Sequence, residues 1–382
     1  MDISYILNIL GEDRADYFQA VTPPILQTSN FAFRTVADFR NAMREEQENH
    51  LYTRGNNPTV EIVRKKIAAL EGTDDCLVFS SGVAAISAVL LHTLRSGDHV
   101  ICVRSPYSWT QFLLTQIFTR YQVTCTFVDG REAQNVEEAL RSETRLIFLE
   151  SPNTFLFELQ DLEAIVQIAR ARKIYTAIDN SYSAGIYQQP HALGVDFVIH
   201  TATKYLAGHS DVVAGAVCGP KEEMASMFSN IFMAFGAVPS PHDAWLLLRG
   251  MRTLPLRIEK SASNAERIIS HFEHHPKISS ILYPYHPSHP QYALAKKQMR
   301  RGNGLFSMIL KTDSREETEA FCNHLQRFLM AVSWGGYESL VVPACIKEDT
   351  EHPAGFVRFY AGLEEPDVLI ADIEQALQYV TG

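Results

Sequence analysis

The chain holds no Cys-x-x-Cys pair, although its six cysteines are spread from Cys76 to Cys345. Scattered thiols in apolar contexts such as HVICV and AVCG suit a reduced core, and supply neither a disulfide framework nor a zinc site. No apolar run approaches the roughly 18 residues needed to cross a bilayer. The longest, Val83 to Leu91, reads as a buried helix. Positive charge is also short: 34 Lys and Arg face 44 Asp and Glu, for a net charge of −10. With no basic stripe to offset this, nucleic acid and anionic membrane are excluded as main partners. The opening MDISYILNILGEDRAD has neither a basic start nor a cleavage site, so no signal peptide is expected, and a cytoplasmic location is. Internal repeats and low-complexity stretches are absent. No G-x-G-x-x-G follows the first strand, which removes a Rossmann-type nucleotide site. The nearest approach to a metal cluster is His271, His274 and His275, with His286 and His289 beyond. HFEHHP reads as a helix end before Pro276, where imidazoles meet the negative pole of the helix dipole. No metal is expected.

What is present is a chain of 382 residues, 46% hydrophobic, long enough for two domains. Residues 1–45 show no strong periodicity, and TPPILQTSNFAF reads as an extended arm laid over another surface. From Cys76, short apolar strands alternate with helical stretches: 76–80, 99–103, 123–128, 145–150, 175–179, 196–200 and 212–219. That alternation predicts an α/β fold, a mainly parallel sheet with helices on both faces. Ligands on such sheets bind at the carboxyl ends of the strands. After about 235 a long helix leads to a smaller α/β domain with strands 304–310 and 356–360 and a terminal helix from Pro366. The expected division is an arm, 1–45, a large domain, 46–235, and a C-terminal domain, 236–382.

Several strand ends carry chemistry. FSSGVAAI places Gly82 and Val83 where a strand gives way to a helix, whose free N–H groups can hold an anion or simply open a capped helix. Tyr107 follows HVICV, and can stack on a planar ligand or cap the core. Asp179 ends YTAID; a carboxylate there needs a cation or strong hydrogen bonds, unless it is a turn residue. DFVIHTATKYLAGHS brings Thr201, Thr203 and Lys204 to the end of a buried strand before a glycine turn. A desolvated lysine loses its proton readily and can form a Schiff base with an aldehyde. Each signal alone has an ordinary structural explanation. Together they supply an amine, a phosphate cup, a carboxylate and an aromatic plane, which is what pyridoxal phosphate (PLP) requires.

The segment Asp196 to Ser210 resembles the lysine signature of the Cys/Met-metabolism family of PLP enzymes, and the resemblance runs from about residue 20 to the C-terminus. It implies the PLP-dependent transferase type I fold, with Lys204 joined to pyridoxal 5′-phosphate. By the same resemblance Gly82, Val83, Thr201 and Thr203 hold the phosphate, Tyr107 stacks on the ring and Asp179 meets its nitrogen. Tyr52 and Arg54, in LYTRGNNPTV, match a pair that reaches the neighbouring subunit's phosphate, implying a homodimer with shared sites and a homotetramer beyond it. Ser333, Trp334 and Arg358 fall at the substrate carboxylate. Tyr52 and Tyr107 are the implied proton-moving helpers. The expected activity is carbon–sulfur β-elimination, as in cystathionine β-lyases, releasing pyruvate, ammonia and a thiol. The alternatives are γ-replacement or γ-elimination (cystathionine γ-synthase, O-acylhomoserine sulfhydrylase or methionine γ-lyase), or a PLP-binding regulatory protein. ESPNTFLFELQD and SWGGYESL look like β-lyases, whereas LYTRGNNPTV and GHSDVVAG look like γ-synthases. Where relatives often read E-T-P-x-N-P, this chain has Asn153, Thr154 and Phe155, so the resemblance assigns the family asparagine's contact to neither Asn153 nor Thr154. Trp109 stands where relatives often have a small residue, and Val332 where γ-enzymes often carry a glutamate.

Overall fold

A computed structural model describes residues 1–347 and 350–381. The chain forms two compact units. One comprises Met1–Ser151, Gln160–Ala207 and Asp211–Arg252; the other comprises Pro152–Leu159, Gly208–Ser210 and the residues from Thr253 onward.

The first unit is built on a seven-stranded sheet: β1 (Asp75–Phe79), β2 (His99–Val103), β3 (Thr124–Val128), β4 (Thr144–Glu150), β5 (Tyr175–Asp179), β6 (Phe197–His200) and β7 (Gly215–Gly219), in the order β1-β7-β6-β5-β4-β2-β3. Every pairing is parallel except those of β7, which runs against both β1 and β6. Residues 201–214 form no helix, so the chain doubles back from β6 instead of crossing over. The strand expected over 212–219 is accordingly shortened to Gly215–Gly219. On one face lies the helix Gly82–Thr93, its Ile86, Val89 and Leu90 packed with Leu77, Phe148, Phe197 and Val217 in one buried cluster. Each such side chain, taken wholly from water, contributes about 1.5–3 kcal/mol. The helix Pro58–Glu71 packs on β1 and carries the helix Pro241–Met251 against it. That last contact places Pro241–Met251 in the first unit, so the division falls at Arg252, later than the 235 read from composition.

The N-terminal stretch also differs from an arm along its first part. Ile3–Asn8 is a helix whose Ile6 and Leu7 carbonyls accept from Lys66 Nζ at 2.9 and 3.1 Å. Lys66 is fully buried with Glu12 at 3.0 Å, and Arg252 reaches the same carboxylate at 3.1 Å. Beyond this anchor the chain is open: Phe18, Val21, Val36, Phe39 and Met43 are all exposed.

The second unit holds a five-stranded sheet of β8 (Ile278–Leu282), β9 (Leu305–Leu310), β10 (Leu329–Met330), β11 (Leu340–Pro343) and β12 (Phe356–Tyr360), in the order β10-β11-β12-β9-β8. The helices Leu254–Phe272 and Pro366–Ala376 supply Ala265, Ile269, Leu369 and Ile373 to its core, where Phe306 and Phe359 stack at 5.5 Å. His271 bonds Glu374 at 2.7 Å and His286 bonds Glu273 at 3.0 Å. No helix among the described residues is long and apolar enough to cross a membrane.

Candidate active site

Apart from Tyr52 and Arg54, the candidate site residues of the first unit lie at the carboxyl ends of its strands. After β1, Ser81 caps the helix Gly82–Thr93: its hydroxyl accepts the N–H of Ala84 at 3.1 Å and its carbonyl that of Ala85 at 3.2 Å. Gly82 and Val83 therefore open the helix with no carbonyl of a preceding turn to bond. A Cβ on Gly82 would lie 2.3 Å from the Thr201 hydroxyl oxygen, so only glycine lets that hydroxyl lie against the helix start. Two N–H groups and a hydroxyl at the positive pole of a helix make an anion cradle. The hydroxyl of Thr203 is engaged elsewhere, donating to Ala214 O at 3.2 Å and accepting from Ala214 N at 3.0 Å. To donate to an anion it would have to give up that loop closure.

Asp179 ends β5 and is 7% exposed. Its Oδ1 accepts from the backbone N–H of Ser181 at 3.0 Å and from the Ser181 hydroxyl at 2.5 Å. The same hydroxyl oxygen accepts the N–H of Thr201 at 2.7 Å, which ties the ends of β5 and β6 together. Oδ2 of Asp179 has no donor among the described residues. Burial pushes this carboxyl above its ordinary range, against the lowering effect of the Ser181 bonds and of His200 and Lys204. Such an oxygen asks for a cationic N–H. Lys204 follows β6, half-buried, its backbone N–H turned back on Thr201 O at 3.1 Å. Tyr107 follows β2, its backbone N–H held by Glu150 Oε2 at 2.6 Å. Its phenol is raised by burial and by the charges of Asp179 and Glu150, so it stays protonated at neutral pH and lies within the field of Asp179.

Tyr52 and Arg54 are different. Both are exposed, with the guanidinium 5.6 Å from the tyrosine ring centroid. Arg54 forms no ion pair among the described residues. Their segment pairs with the later part of the arm, Asn30 bridging to Tyr52 and Thr53 N donating to Ser29 O.

In the second unit Arg358 lies in the middle of β12, 6% exposed. Its Nη2 donates to Ser333 O at 3.2 Å and its guanidinium carbon sits 4.9 Å from the ring centroid of Phe155. No carboxylate pairs with it among the described residues, and burial pulls its pKa down to about 10. It remains a cation at neutral pH. Ser333 has φ +95°, a left-handed conformation unusual outside glycine. Trp334 is packed at 8% exposure. Asn153 closes its own loop, accepting Glu158 N at 3.0 Å and donating to Glu158 Oε2 at 3.3 Å.

Sequence reasoning did not single out Ser181, Glu150 or Phe155. The Asp-Asn-Ser run was a usable signal for Ser181, since Asp commonly accepts the N–H two residues on. Glu150 and Phe155 stood in plain view within ESPNTF, but nothing in the pattern told what they face. Among the described residues no group of three or more His, Cys, Asp or Glu could hold a metal ion.

The anion cradle at Gly82, the donorless Asp179 oxygen and the adjacent lysine fit the phosphate, ring nitrogen and aldehyde of PLP. Comparison with known proteins agrees. The family described as "Cys/Met metabolism PLP-dependent enzyme" matches residues 7–378. The chain is 36% identical over 373 residues to L-methionine gamma-lyase of Treponema denticola, covering 94% of this chain and 93% of that protein. It is 36% identical over 369 residues to cystathionine beta-lyase of Lactococcus lactis, covering 94% of each. The crystal structure of metB from Corynebacterium glutamicum superposes with a TM-score of 0.92 at 32% identity, covering 99% of this chain and 98% of that one. The fold is thus the PLP-dependent transferase type I fold, and the chain belongs to the Cys/Met-metabolism family of enzymes, with pyridoxal 5′-phosphate as cofactor and an amino acid as substrate.

Proposed function

We propose that this enzyme is a carbon–sulfur β-lyase acting on a cystathionine-like or cysteine-derived thioether, releasing pyruvate, ammonia and a thiol. The observation that carries an α-amino acid substrate is the buried guanidinium of Arg358, a cation with no carboxylate beside it among the described residues. A planar fork of donors suits a carboxylate bidentately.

When bound, the cofactor supplies an aldehyde for the substrate amine and a protonated ring that draws electron density from Cα. The chain's own residues do the rest. Gly82 N–H, Val83 N–H and the Thr201 hydroxyl hold the phosphate. Asp179 Oδ2 accepts the ring N–H and keeps it protonated, while Ser181 fixes the other carboxylate oxygen. Lys204 Nζ would take the proton from Cα. Tyr107 would lie against the ring, and its phenol would give a proton to the leaving sulfur. β-Elimination needs that single Cα proton, whereas γ-chemistry needs a second removal at Cβ. The resemblance of ESPNTFLFELQD and SWGGYESL to β-lyases supports the shorter course. Val332, 78% exposed, offers no carboxylate to a distal amine. The second reading is γ-elimination, favoured by the similarity to L-methionine gamma-lyase.

Tyr52 and Arg54, exposed and without an ion pair among the described residues, serve the phosphate of a partner subunit in this reading. The exposed apolar arm around Phe18, Val21 and Phe39 is the surface the partner covers. The assembly is a homodimer, paired again into a homotetramer. It works in the cytoplasm, where the buried thiols of Cys102 and Cys218 act as packing groups. The test is keto-acid identification with cystathionine, methionine, cysteine and O-acylhomoserine plus a thiol. Pyruvate as the main product supports the β-lyase; dominant 2-oxobutyrate, or rapid thioether formation, replaces it with γ-chemistry.

A further inference from the structure

Behind the cofactor site, on the other face of the sheet, lies a buried polar network that the chemistry above does not use. Its centre is Glu71, the last residue of the helix Pro58–Glu71, 1% exposed. A carboxylate at that position meets the negative pole of its own helix, an unfavourable placement for stability alone. Its Oε1 accepts from His200 Nε2 at 2.6 Å and from Asn180 Nδ2 at 2.8 Å. Asn180 directly follows Asp179, and His200 directly precedes Thr201. Asp179 lies in register with Ile199. By strand alternation Asn180 and His200 therefore turn to the opposite face from Asp179.

The network continues sideways. Gln188 Nε2 donates to Asn180 Oδ1 at 3.1 Å and to Ser151 O, just past β4, at 2.9 Å. Asn180 Nδ2 also donates to Gln188 O at 3.1 Å. Glu71 from the helix joins the ends of β5 and β6, and Gln188 from the loop after β5 extends the tie to the end of β4. Among the described residues, Glu71 Oε2, His200 Nδ1, Ser183 Oγ and Gln188 Oε1 are buried without a hydrogen-bond partner, a concentration of polar atoms that a purely apolar packing would not need. Gly185, at φ +69°, would bring a Cβ to 3.2 Å from Glu71 Oε1, so the loop admits the carboxylate by lacking a side chain there.

We propose that Glu71 is a positioning residue for the PLP site, holding the ends of β5 and β6 so that Asp179 and Thr201 meet the cofactor together. The proposal rests on the PLP reading of the site, and goes beyond it by assigning a residue that touches neither cofactor nor substrate. The test titrates apo-protein with PLP and follows both the Kd and the visible circular dichroism induced in the bound chromophore, which reports how the ring is held. Glu71→Gln keeps an acceptor for both donors, and is expected to hold PLP within threefold of wild type. Glu71→Ala removes the acceptor, and is expected to raise the Kd at least tenfold and to lower the dichroic signal by half or more. A Glu71→Ala protein that melts earlier yet keeps both readouts within twofold overturns the proposal, leaving a merely stabilising network. So does a Glu71→Gln protein as impaired as Glu71→Ala, which would make charge rather than geometry the operative property. Should Glu71→Ala fail to fold, Asn180→Ala cuts one link only; an unchanged Kd and spectrum there overturn the proposal equally. Failure of the PLP reading itself is separately visible, because wild type would then induce no visible dichroism in added PLP.

Discussion

The two ends of the first unit's parallel strands are finished in opposite ways. At the amino end the buried polar side chains are paired with one another. The imidazole of His99 is bonded by the Thr144 and Thr126 hydroxyls, each at 2.8 Å, and Asp196 Oδ2 accepts both the N–H and the hydroxyl of Thr176 at 2.8 Å. At the carboxyl end, groups of equal strength are left open: the first N–H groups of the helix Gly82–Thr93 and Asp179 Oδ2. A buried polar group without a partner costs about 1–3 kcal/mol, so the open edge is where stability has been given up for binding. Substitutions at the two edges should separate cleanly into lost chemistry and lost stability.

The largest separation is expected from Lys204→Ala. Removing the amine should lower kcat at least about 10³-fold, the scale on which loss of a reacting group acts. Borohydride should no longer fix the cofactor to the chain. The unfolding midpoint of the apo-protein should move little, because Lys204 is only half-buried and stands past the end of β6, away from the amino edge. A peptide map placing the adduct on another lysine would break the comparison at its centre.

Arg358→Met extends the rule to the second unit. The guanidinium is desolvated, with Ser333 O and the Phe155 ring its neighbours, and replacing a buried, unpaired cation by an apolar side chain of similar length tends to stabilise. KM for the amino acid should rise about 10²-fold, in line with losing a charge-assisted pair of about 1.5–3 kcal/mol. The apo-protein should unfold at equal or higher denaturant. A lower midpoint would mean that Arg358 is part of the second unit's framework and not an open group.

Arg54→Ala tests whether the open edge is completed by a second chain. Alone, it should weaken PLP retention about tenfold. Mixed with Lys204→Ala chains, it should recover activity, since a hybrid dimer rebuilds one site from an intact Arg54 and an intact Lys204. Confirmed heterodimers without any activity would return Tyr52 and Arg54 to being ordinary surface residues.

Much of this layout was legible in the sequence, and the limits of legibility are physical. The strands 99–103, 175–179 and 356–360 and the helix 162–172 stand where periodicity puts them, because each pattern is bounded by turn residues. Asp179, Tyr107 and Lys204 were visible because strand ends are where such residues are out of place. The direction of β7 was not visible, since an apolar run carries no arrow; only the helix-free return over 201–214 sets it. Nothing in the pattern marks Glu71, at a helix end, or His200, at the close of a strand, as members of one network. Their meeting is a product of packing between segments 129 positions apart. Phe155 was quoted within its motif, but that it lies beneath Arg358 depends on β12, some two hundred residues on. The arm was read whole, whereas its first part is fastened by Lys66, a lysine whose helix position gives no hint of full burial.

The smallest expected effect belongs to the closed edge, and it is one of pH. Burial, with the charge of Arg141 adding to it, holds the His99 pKa down at about 4, against an ordinary value near 6.5. The folded state therefore keeps His99 neutral where the unfolded chain would protonate it. Between about pH 6.5 and pH 4 the unfolded state binds more protons, so stability must fall as the pH falls through that window and level off below it. A shift of this size corresponds at most to about 3 kcal/mol, and partial water entry on protonation brings the expected loss to about 1–2 kcal/mol. Replacing His99 by Gln, which can still donate to one threonine hydroxyl and accept from the other, removes the titration while keeping the contacts. Urea unfolding at pH 7.5 and pH 5 should show a drop for wild type that is visibly smaller in His99→Gln. It should not vanish, because His289 is held down to about 4 by burial as well. At pH 7.5 the variant should keep kcat and KM within about twofold, since the side chain faces the edge without chemistry. An altered KM with an unchanged pH profile of stability would show that the amino edge is coupled to the site, and the division between the two edges would not hold.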